Sequence, residues 1–420
     1  MRGQEMMATR AWRLLTLNVL ARALRPVHPS LFSLDPHSLM EAARRTTQLE
    51  DFGGDDLLEP LSLLAGDVEK EAKLTSFGRL VLRDHLLLRL GNRLRIEEWI
   101  RRDPGVLQER IERPIFIIGL PRTGTTYLHR LLASDPSSRI PCAWEMDDPV
   151  PPPEAETYLS DPRIDKLNRA LRLLHWAAPA LPSMHDTGAG LPEECISLMA
   201  NDLASVTFLI PAFLPSYEQW LYTRDLTDTY RRHRRQLQLL QRKLKRDRWV
   251  LKAPMHMHGL QWLLVAYPDA RIVMTHRDPC DAVASLASFL FYLRSTFSND
   301  VAPGAIGEEV VDRLASYSAR AESARKKASK RIGDPVTFVD VDYRDIVRAP
   351  IDVVEGVYER LEIPLDDYTR GQMRRYVETK AQHRHGVHHY TLEQFGLSRA
   401  NVEERFSAHR ASLSRIHGTH

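Results

Sequence analysis

A glycine-containing run, GLPRTGTT, extends from Gly119 to Thr126, between an apolar segment and a segment with helical spacing. In such a loop the backbone N–H groups and the unpaired amides of the next helical turn point at an anion, and the helix dipole adds favourable charge. Arg122 adds a cation, and Thr125 and Thr126 add two hydroxyls. We therefore predict an anion-binding loop, although a glycine turn in any α/β protein could show the same glycine spacing.

The loop departs from the phosphate loop of nucleoside-triphosphate hydrolases at one position. Gly119 and Gly124 match the pattern GxxxxGK[ST], but Thr125 replaces the lysine. That lysine contacts the β and γ phosphates, and the hydroxyl after it binds magnesium. The substitution disfavours triphosphate hydrolysis.

A second polar group follows another apolar run. Asp278 is a good N-cap and Pro279 suits the first helical position, so a helix is predicted to begin here. Arg277 then projects from the strand end, and Ser285 lies two turns into the helix. A guanidinium and a hydroxyl so placed can hold one phosphate from two sides. Taken alone, Arg277 could equally pair with Asp278 or Asp281.

Together the two motifs resemble the 5′-phosphosulfate loop and the 3′-phosphate site of the sulfotransferase superfamily that uses 3′-phosphoadenosine-5′-phosphosulfate (PAPS). The segments 249–256 and 389–397 are similar to the bacterial branch known as the sulfotransferase family 3 type, which includes actinobacterial members. The resemblance covers about residues 110–400. It implies transfer of a sulfuryl group from PAPS to a hydroxyl or amine of a small acceptor, with 3′,5′-adenosine bisphosphate (PAP) as product.

The resemblance also assigns residues to the cofactor. Tyr343 resembles the adenine-contacting tyrosine, with a half-buried strand-end aromatic as the alternative. The run HRHG lies where cytosolic members wrap the 3′-phosphate, which implies contacts from Arg384 and Gly386, whereas His385 departs from the family pattern. The remaining cofactor-binding residues are Pro121, Arg122, Thr123, Gly124, Thr125, Thr126, Arg277 and Ser285.

Sulfuryl transfer should resemble phosphoryl transfer, in which positioning and electrostatics supply most of the catalysis. No metal is needed if cations neutralise the bridging oxygen, and Arg122 and Lys252 could supply that charge. Lys252 begins a Lys-Ala-Pro run. This run is similar to the Lys-Asp-Pro of tyrosylprotein sulfotransferases, where the lysine assists the leaving group. A solvent-facing lysine is the alternative.

Two residues compete for the role of general base. Glu145 resembles the glutamate base of tyrosylprotein sulfotransferases, and desolvation beside Trp144 is expected to raise its pKa. It could instead be a loop carboxylate paired with an arginine. His256, and less so His258, follow Lys252 closely, and histidine titrates in a suitable range. A structural histidine at a helix start is the alternative there.

The acceptor contacts are expected between the first two predicted strands, where the family usually builds them. His185, Asp186, Glu193 and Glu194 are weak candidates in this stretch. The segment 206–214 is rich in aliphatic and aromatic residues. It would suit a lipophilic acceptor, although burial in the core explains it equally well.

The elements that position these residues follow from the apolar pattern. Short apolar runs separated by helical patterns are typical of a parallel sheet covered by helices, whose ligands lie at the carboxyl ends of the strands. We predict an α/β, P-loop-type three-layer fold with a mostly parallel central sheet. Helical spacing over 80–100 predicts an N-terminal helical extension, residues 1–110, before a sulfotransferase domain, residues 111–420. The predicted strands are 114–119, 249–252, 271–275 and 336–341.

Composition excludes several classes of protein. The 420 residues are 43% hydrophobic and 27% charged, with a net charge of only +3, so net charge does not support nucleic-acid binding. The basic run 231–248 is interpreted as a helix with a solvated face. Three scattered cysteines fit a reducing compartment, argue against a zinc site and favour the cytoplasm.

An apolar cluster between Trp12 and Leu20 is interrupted by arginines and is too short and too charged to span a membrane. We interpret it as an amphipathic helix packed on its own protein, with docking on a membrane surface as the alternative. The N-terminal helices could also form a homodimer interface.

Two other functions fit parts of the pattern. A P-loop kinase is opposed by the missing lysine and by the lack of an acidic strand end for magnesium. A degenerate, non-enzymatic nucleotide-binding scaffold is opposed by the joint presence of Arg122, Thr126, Arg277 and Ser285.

Overall fold

A parallel five-stranded sheet forms the centre of the described chain, which in this computed structural model comprises residues 2–330, 338–379 and 390–407. The strand order is β2-β3-β1-β4-β5, and every pairing is parallel. The four predicted strands are confirmed, and the two-residue β2 is an addition. The strands are β1 (Ile115–Gly119), β2 (Ser138–Arg139), β3 (Arg248–Lys252), β4 (Arg271–His276) and β5 (Phe338–Asp342).

Helices precede the sheet and connect its strands. The α-helices are α1 (Arg2–Leu24), α2 (Pro36–Thr47), α3 (Leu58–Lys70), α4 (Ser76–Arg102), α5 (Thr125–Leu132), α6 (Ala143–Asp147), α7 (Pro162–Ala177), α8 (Leu181–Met184), α9 (Ile196–Met199), α10 (Pro215–Thr223), α11 (Thr227–Gln241), α12 (His256–Ala266), α13 (Pro279–Phe297), α14 (Pro303–Ala328), α15 (Tyr343–Arg348), α16 (Pro350–Arg360), α17 (Asp367–Thr379) and α18 (Arg399–Arg405). Short 3₁₀ helices cover Pro29–Phe32, Pro104–Gln108, Ala200–Asp202, Val206–Leu209 and Glu393–Phe395.

The sheet separates two apolar clusters, which gives the predicted three layers. Successive side chains of a strand point to opposite faces. Phe116 and Ile118 of β1 therefore pack with α4, α11, α12, α13 and α14 in the larger cluster. Ile115 and Ile117 pack with α5, α16 and α17 in the second. Because both faces are covered, the strand is apolar throughout rather than alternating.

The N-terminal helices share a core with the sheet. Thr75 caps the start of α4 by accepting a hydrogen bond from Gly78 N. Leu86, Leu90 and Leu94 of that helix lie in the same apolar cluster as Phe116 and Ile118 of β1. The packing is continuous across residue 110, so the division into an extension and a catalytic domain stays a prediction.

The helix predicted for the basic run 231–248 ends earlier than expected. α11 stops at Gln241, and the residue predicted to end the helix, Arg248, instead begins β3. Its arginines also do more than face solvent. Arg232 pairs with Asp56, and Arg235 pairs with Glu97 at 2.8 Å. The run therefore binds the N-terminal helices to the rest of the chain.

Buried histidines should make the fold acid-sensitive. Burial lowers their pKa, because desolvation disfavours the charged ring. The unfolded chain then binds more protons below pH 6.5, so stability is fully present above about pH 6.5 and falls toward about pH 3. The pKa is lowered to about 3 at His85, His129, His233 and His258, and it is lowered well below 6.5 at His256.

The predicted loss is about 1.4 kcal/mol of unfolding free energy per pH unit for each such histidine. Urea unfolding at pH 7.5, 6 and 5 measures it. Burial raises the pKa of Asp147, Asp202 and Glu218, that of Asp202 to about 6, which acts in the opposite sense, but these are three groups against five histidines. His129→Gln should flatten the pH slope, while the exposed His37→Gln should leave it unchanged. Constant stability down to pH 5 would show that these rings protonate in the folded state.

Candidate active site

Three strands end together at the edge where the polar motifs lie. β1 pairs with β3 on one side and with β4 on the other. Ile117 is in register with Lys252, and Gly119 is in register with Thr275. The loop after β1, the last residue of β3 and the residue after β4 therefore meet at one carboxyl edge, the usual ligand position in such sheets.

The two loop glycines are required by the backbone and by close packing. Gly119 has φ +155° and Gly124 has φ +88°, both in the region that disfavours side chains. A Cβ at Gly119 would lie 2.7 Å from the Thr275 carbonyl oxygen. A Cβ at Gly124 would lie 3.0 Å from Tyr343 Cδ2. The glycines thus allow the loop to approach β4 and Tyr343.

Arg122 connects the loop to the second polar motif. Its φ of +69° is unusual for a residue with a side chain. Its carbonyl accepts a hydrogen bond from Arg277 Nη1 at 2.9 Å, and its own Nε donates to Ser285 Oγ at 3.1 Å. Its Nη1 donates to the Met184 carbonyl at 2.9 Å. The loop, Arg277 and Ser285 therefore form one polar group.

The threonines of the loop have different surroundings. Thr123 is buried, and its Oγ1 contacts Leu120 O at 2.7 Å and Thr275 Oγ1 at 2.6 Å. It holds the loop against β4. Thr125 is also buried, whereas Thr126 is half-buried. The first hydrogen bond of α5 runs from Leu128 N to Gly124 O, so the amides of 125–127 precede it at the helix end.

Arg277 lies between the loop and Tyr343. Its guanidinium carbon is 4.4 Å from the Tyr343 ring centroid. It pairs with Asp281 at 3.2 Å while it also reaches Arg122. Asp278 instead caps α13, as predicted, by accepting from Cys280 N. The structural partner foreseen for Arg277 is therefore Asp281. Pro121 is half-buried in the loop, directly before Arg122.

Lys252 is almost fully buried, not solvent-facing, with 1% of its surface exposed. Its Nζ donates to Glu194 Oε1 at 2.7 Å and to Thr126 Oγ1 at 3.3 Å. The side chain of Glu194 is 22% exposed. The amide of Cys195 donates to the Lys252 carbonyl at 3.2 Å, which fixes the Glu194 segment against β3. A carboxylate and an ammonium thus lie together beside the loop.

Glu145 lies in α6 and has no solvent exposure. Its carboxylate pairs with Arg139 and accepts hydrogen bonds from Cys142 N at 2.8 Å and from Tyr158 OH at 2.7 Å. Within the described ranges, its hydrogen bonds all remain among residues 139–158. Its role as a base stays a prediction, because none of these hydrogen bonds involves a residue of the loop 119–126.

His256 is fully buried. Its Nδ1 contacts Tyr230 OH at 2.8 Å, and its Nε2 contacts Cys195 Sγ at 3.0 Å. Burial lowers its pKa well below 6.5. Both ring nitrogens are therefore engaged inside the core. His258 is also buried and packs against Tyr222, with ring centroids 4.7 Å apart and the rings tilted by 50°.

The stretch between the first predicted strands does approach the loop. His185 packs on Phe289 with centroids 6.0 Å apart, and burial lowers the pKa of its imidazole. Asp186 pairs with Arg130 at 2.7 Å. Arg384 and Gly386, the implied 3′-phosphate contacts, lie outside the described residues.

Residues 114–367 match the family described as "Sulfotransferase family". The match spans more than half of the 420 residues. The chain belongs to the sulfotransferase family. The sequence-based recognition of a bacterial sulfotransferase is therefore confirmed, and the protein is an enzyme of the transferase class. The kinase and scaffold alternatives are not favoured.

Solved structures of mycobacterial sulfotransferases resemble this sulfotransferase over nearly its whole length. STF1 from Mycobacterium tuberculosis H37Rv is 34% identical with a TM-score of 0.78, covering 89% of this chain and 98% of its own. STF9 from Mycobacterium avium is 29% identical with a TM-score of 0.81, covering 90% and 96%. The P-loop-type fold is thereby confirmed.

A curated relative carries a substrate in its name. Omega-hydroxy-beta-dihydromenaquinone-9 sulfotransferase Stf3 from Mycobacterium tuberculosis is 24% identical to this sulfotransferase over 324 residues, which cover 70% of this chain and 73% of Stf3. In the described part of the sulfotransferase, no helix is long and apolar enough to cross a membrane.

The Arg139–Glu145 pair should matter for stability. Glu145→Gln removes one charge from a buried ion pair, which is expected to cost about 3–5 kcal/mol of unfolding free energy. Glu154→Gln is the matched control, because Glu154 pairs with Lys243 at a half-exposed position and should cost less than about 1 kcal/mol. Urea unfolding at pH 7.5 measures both. An equal loss for the two variants would show that Glu145 is not held as described.

Proposed function

We propose that this sulfotransferase moves the sulfuryl group of PAPS onto a hydroxyl of a small lipophilic acceptor and releases PAP. One observation carries the proposal. The anion-binding loop and the Arg277–Ser285 group are joined through Arg122, so one ligand with phosphates at both ends would contact both. An adenosine carrying a 3′-phosphate and a 5′-phosphosulfate has that form.

The residues divide between the two ends of this ligand. The amides of the loop and the first turn of α5 suit the 5′-phosphosulfate, with the hydroxyls of Thr125 and Thr126. Arg277 and Ser285 suit the 3′-phosphate, and Tyr343, stacked on Arg277, suits the adenine. Arg384 and Gly386 remain implied contacts.

Lys252 and Glu194 are proposed to act as a pair. The acceptor oxygen attacks sulfur as the bond from sulfur to the bridging phosphate oxygen breaks, so negative charge develops on that oxygen and the acceptor loses a proton. Lys252, beside Thr126, is placed to stabilise the leaving oxygen. Glu194 is placed to take the proton. When Lys252 turns to the nucleotide, the carboxylate of Glu194 loses its present partner and becomes available.

Glu194 is preferred to the two residues first considered as base. The carboxylate of Glu145 is already bound by Arg139, Cys142 and Tyr158 with no exposed surface. The ring of His256 is engaged at both nitrogens. Glu194 is partly exposed and contacts the lysine beside the loop, which the proton transfer requires.

The acceptor is proposed to be lipophilic because an apolar wall lies beside the site. Phe289 contacts His185, whose neighbour Met184 accepts a hydrogen bond from Arg122. The wall comprises Ala178, Leu181, Ile210, Phe289, Tyr292 and Leu293. The menaquinone derivative in the name of Stf3 is an acceptor of this class. Three cysteines without disulfide bonds fit a reducing, cytoplasmic compartment.

Calorimetric titration with PAP, and separately with ATP and magnesium, tests the cofactor. PAP should bind at least tenfold more tightly than ATP. Arg277→Ala should weaken PAP binding by about 10- to 100-fold, the cost of a charged hydrogen bond. Arg344→Ala, an exposed arginine next to Tyr343, is the control and should bind PAP normally. Preference for ATP would favour the kinase alternative.

Single-turnover and steady-state transfer from ³⁵S-labelled PAPS to a long-chain alkylphenol tests the base. Glu194→Gln should lower kcat by about 10²- to 10⁴-fold, the usual contribution of a general base, without weakening PAP binding. Folded Glu145→Gln and the surface variant Glu154→Gln should retain kcat. Full activity of Glu194→Gln would contradict the proposed base, and together with a loss of kcat in folded Glu145→Gln it would assign the base to Glu145.

A further inference from the structure

The N-terminal helix α1 packs on the protein with one face only. Leu14, Leu17 and Ala21 lie in an apolar cluster with Phe77 of α4 and Leu174 of α7. The amide of Phe77 donates to Asn18 Oδ1 at 3.2 Å. The orientation of the helix is therefore fixed, and its opposite face is directed away from the core.

That opposite face is apolar. Trp12, Leu15 and Val19 recur at helical spacing with 61%, 64% and 56% of their surface exposed. Scattered exposed apolar residues need no explanation, but a contiguous apolar patch marks an interaction site. Further apolar residues of the same segment are exposed as well: Leu20, Leu24, Val27 and Leu31. The expected packing of α1 on its own protein thus accounts for the inner face of the helix but not for the outer face.

The charge around this face favours an anionic partner. From Met6 to Leu34 the sequence contains no aspartate or glutamate but has arginines at 10, 13, 22 and 25. Arg22 and Arg25 are exposed. An apolar stripe bordered by arginines is the pattern of helices that lie in the headgroup layer of anionic bilayers. A second copy of the chain would bring two positive faces together, which like-charge repulsion opposes.

The helix that carries the patch is also connected, through its inner face, to the apolar wall proposed for the acceptor. Leu174, which supports the inner face of α1, packs as well on the apolar wall that contains Phe289. Phe289 contacts His185, and the adjacent Met184 carbonyl accepts from Arg122. Apolar packing therefore runs from α1 to the wall that contains Phe289, and His185 and Met184 connect this wall to Arg122 of the loop.

We propose that the outer face of α1, Trp12, Leu15, Val19 and the apolar residues that follow, docks this sulfotransferase on an anionic lipid bilayer and brings its site to an acceptor held there. The claim about the acceptor rests on the proposed function. The claim that α1 docks on a bilayer is independent of that function.

Co-sedimentation with vesicles of phosphatidylcholine alone and with 30% phosphatidylglycerol tests the docking. The full chain should bind the anionic vesicles at least tenfold more tightly, and 0.5 M salt should reverse most of that preference. The triple variant Trp12→Ser, Leu15→Ser, Val19→Ser should lose at least tenfold in binding. The control variant changes three exposed apolar residues elsewhere to serine and should bind normally; these are Leu159, Val265 and Val347, with 89%, 66% and 39% of their surface exposed.

Four further outcomes separate the docking proposal from the proposed function. The α1 triple variant should keep its affinity for PAP and its transfer to soluble 4-nitrophenol, but lose transfer to a vesicle-embedded alkylphenol. Equal vesicle binding by the full chain and the triple variant would overturn the docking proposal. A change from dimer to monomer in the triple variant would overturn it in favour of a second copy. If the unaltered chain binds vesicles but does not bind PAP, the proposed function is contradicted and the docking proposal is not.

Discussion

The site depends on the parallel pairing of β1 with β4, in which Gly119 is in register with Thr275. This register brings the loop after one strand against the residue after the other, so that Arg277 can donate to the carbonyl of Arg122. The approach is possible only because Gly119 has no side chain to meet the Thr275 carbonyl. A shift of one residue would separate the two motifs proposed to bind the phosphates and turn every side chain of the strand to the other face.

Much of this framework could be predicted from the sequence because buried parallel strands have an unmistakable pattern. β1, β3 and β4 contain short apolar runs that lead into polar residues, β5 alternates apolar residues with aspartate, and local residue types such as Asp278 fix the helix starts. β2 escaped prediction because two residues, Ser138 and Arg139, carry no periodicity. The end of α11 was missed because its basic residues continue past the last helical turn into the next strand.

The partners within the site were harder to predict because they are distant in sequence. Lys252 and Glu194 are 58 residues apart, and only the fold shows that the lysine joins this carboxylate to Thr126. Trp144 beside Glu145 suggested a desolvated base, but Arg139, close in sequence, pairs with that carboxylate in the core. Burial without a partner and burial within an ion pair look alike in a sequence and differ in their chemistry.

The proposed site is tested most directly by a crystal structure of the protein with PAP. We predict the 5′-phosphate on the amides of the loop 119–126, the 3′-phosphate on Arg277 and Ser285, and Lys252 turned from Glu194 toward the 5′-phosphate. PAP bound away from the loop, or bound there with the Lys252–Glu194 contact unchanged, would contradict the proposed site or the proposed pairing of lysine and base, respectively.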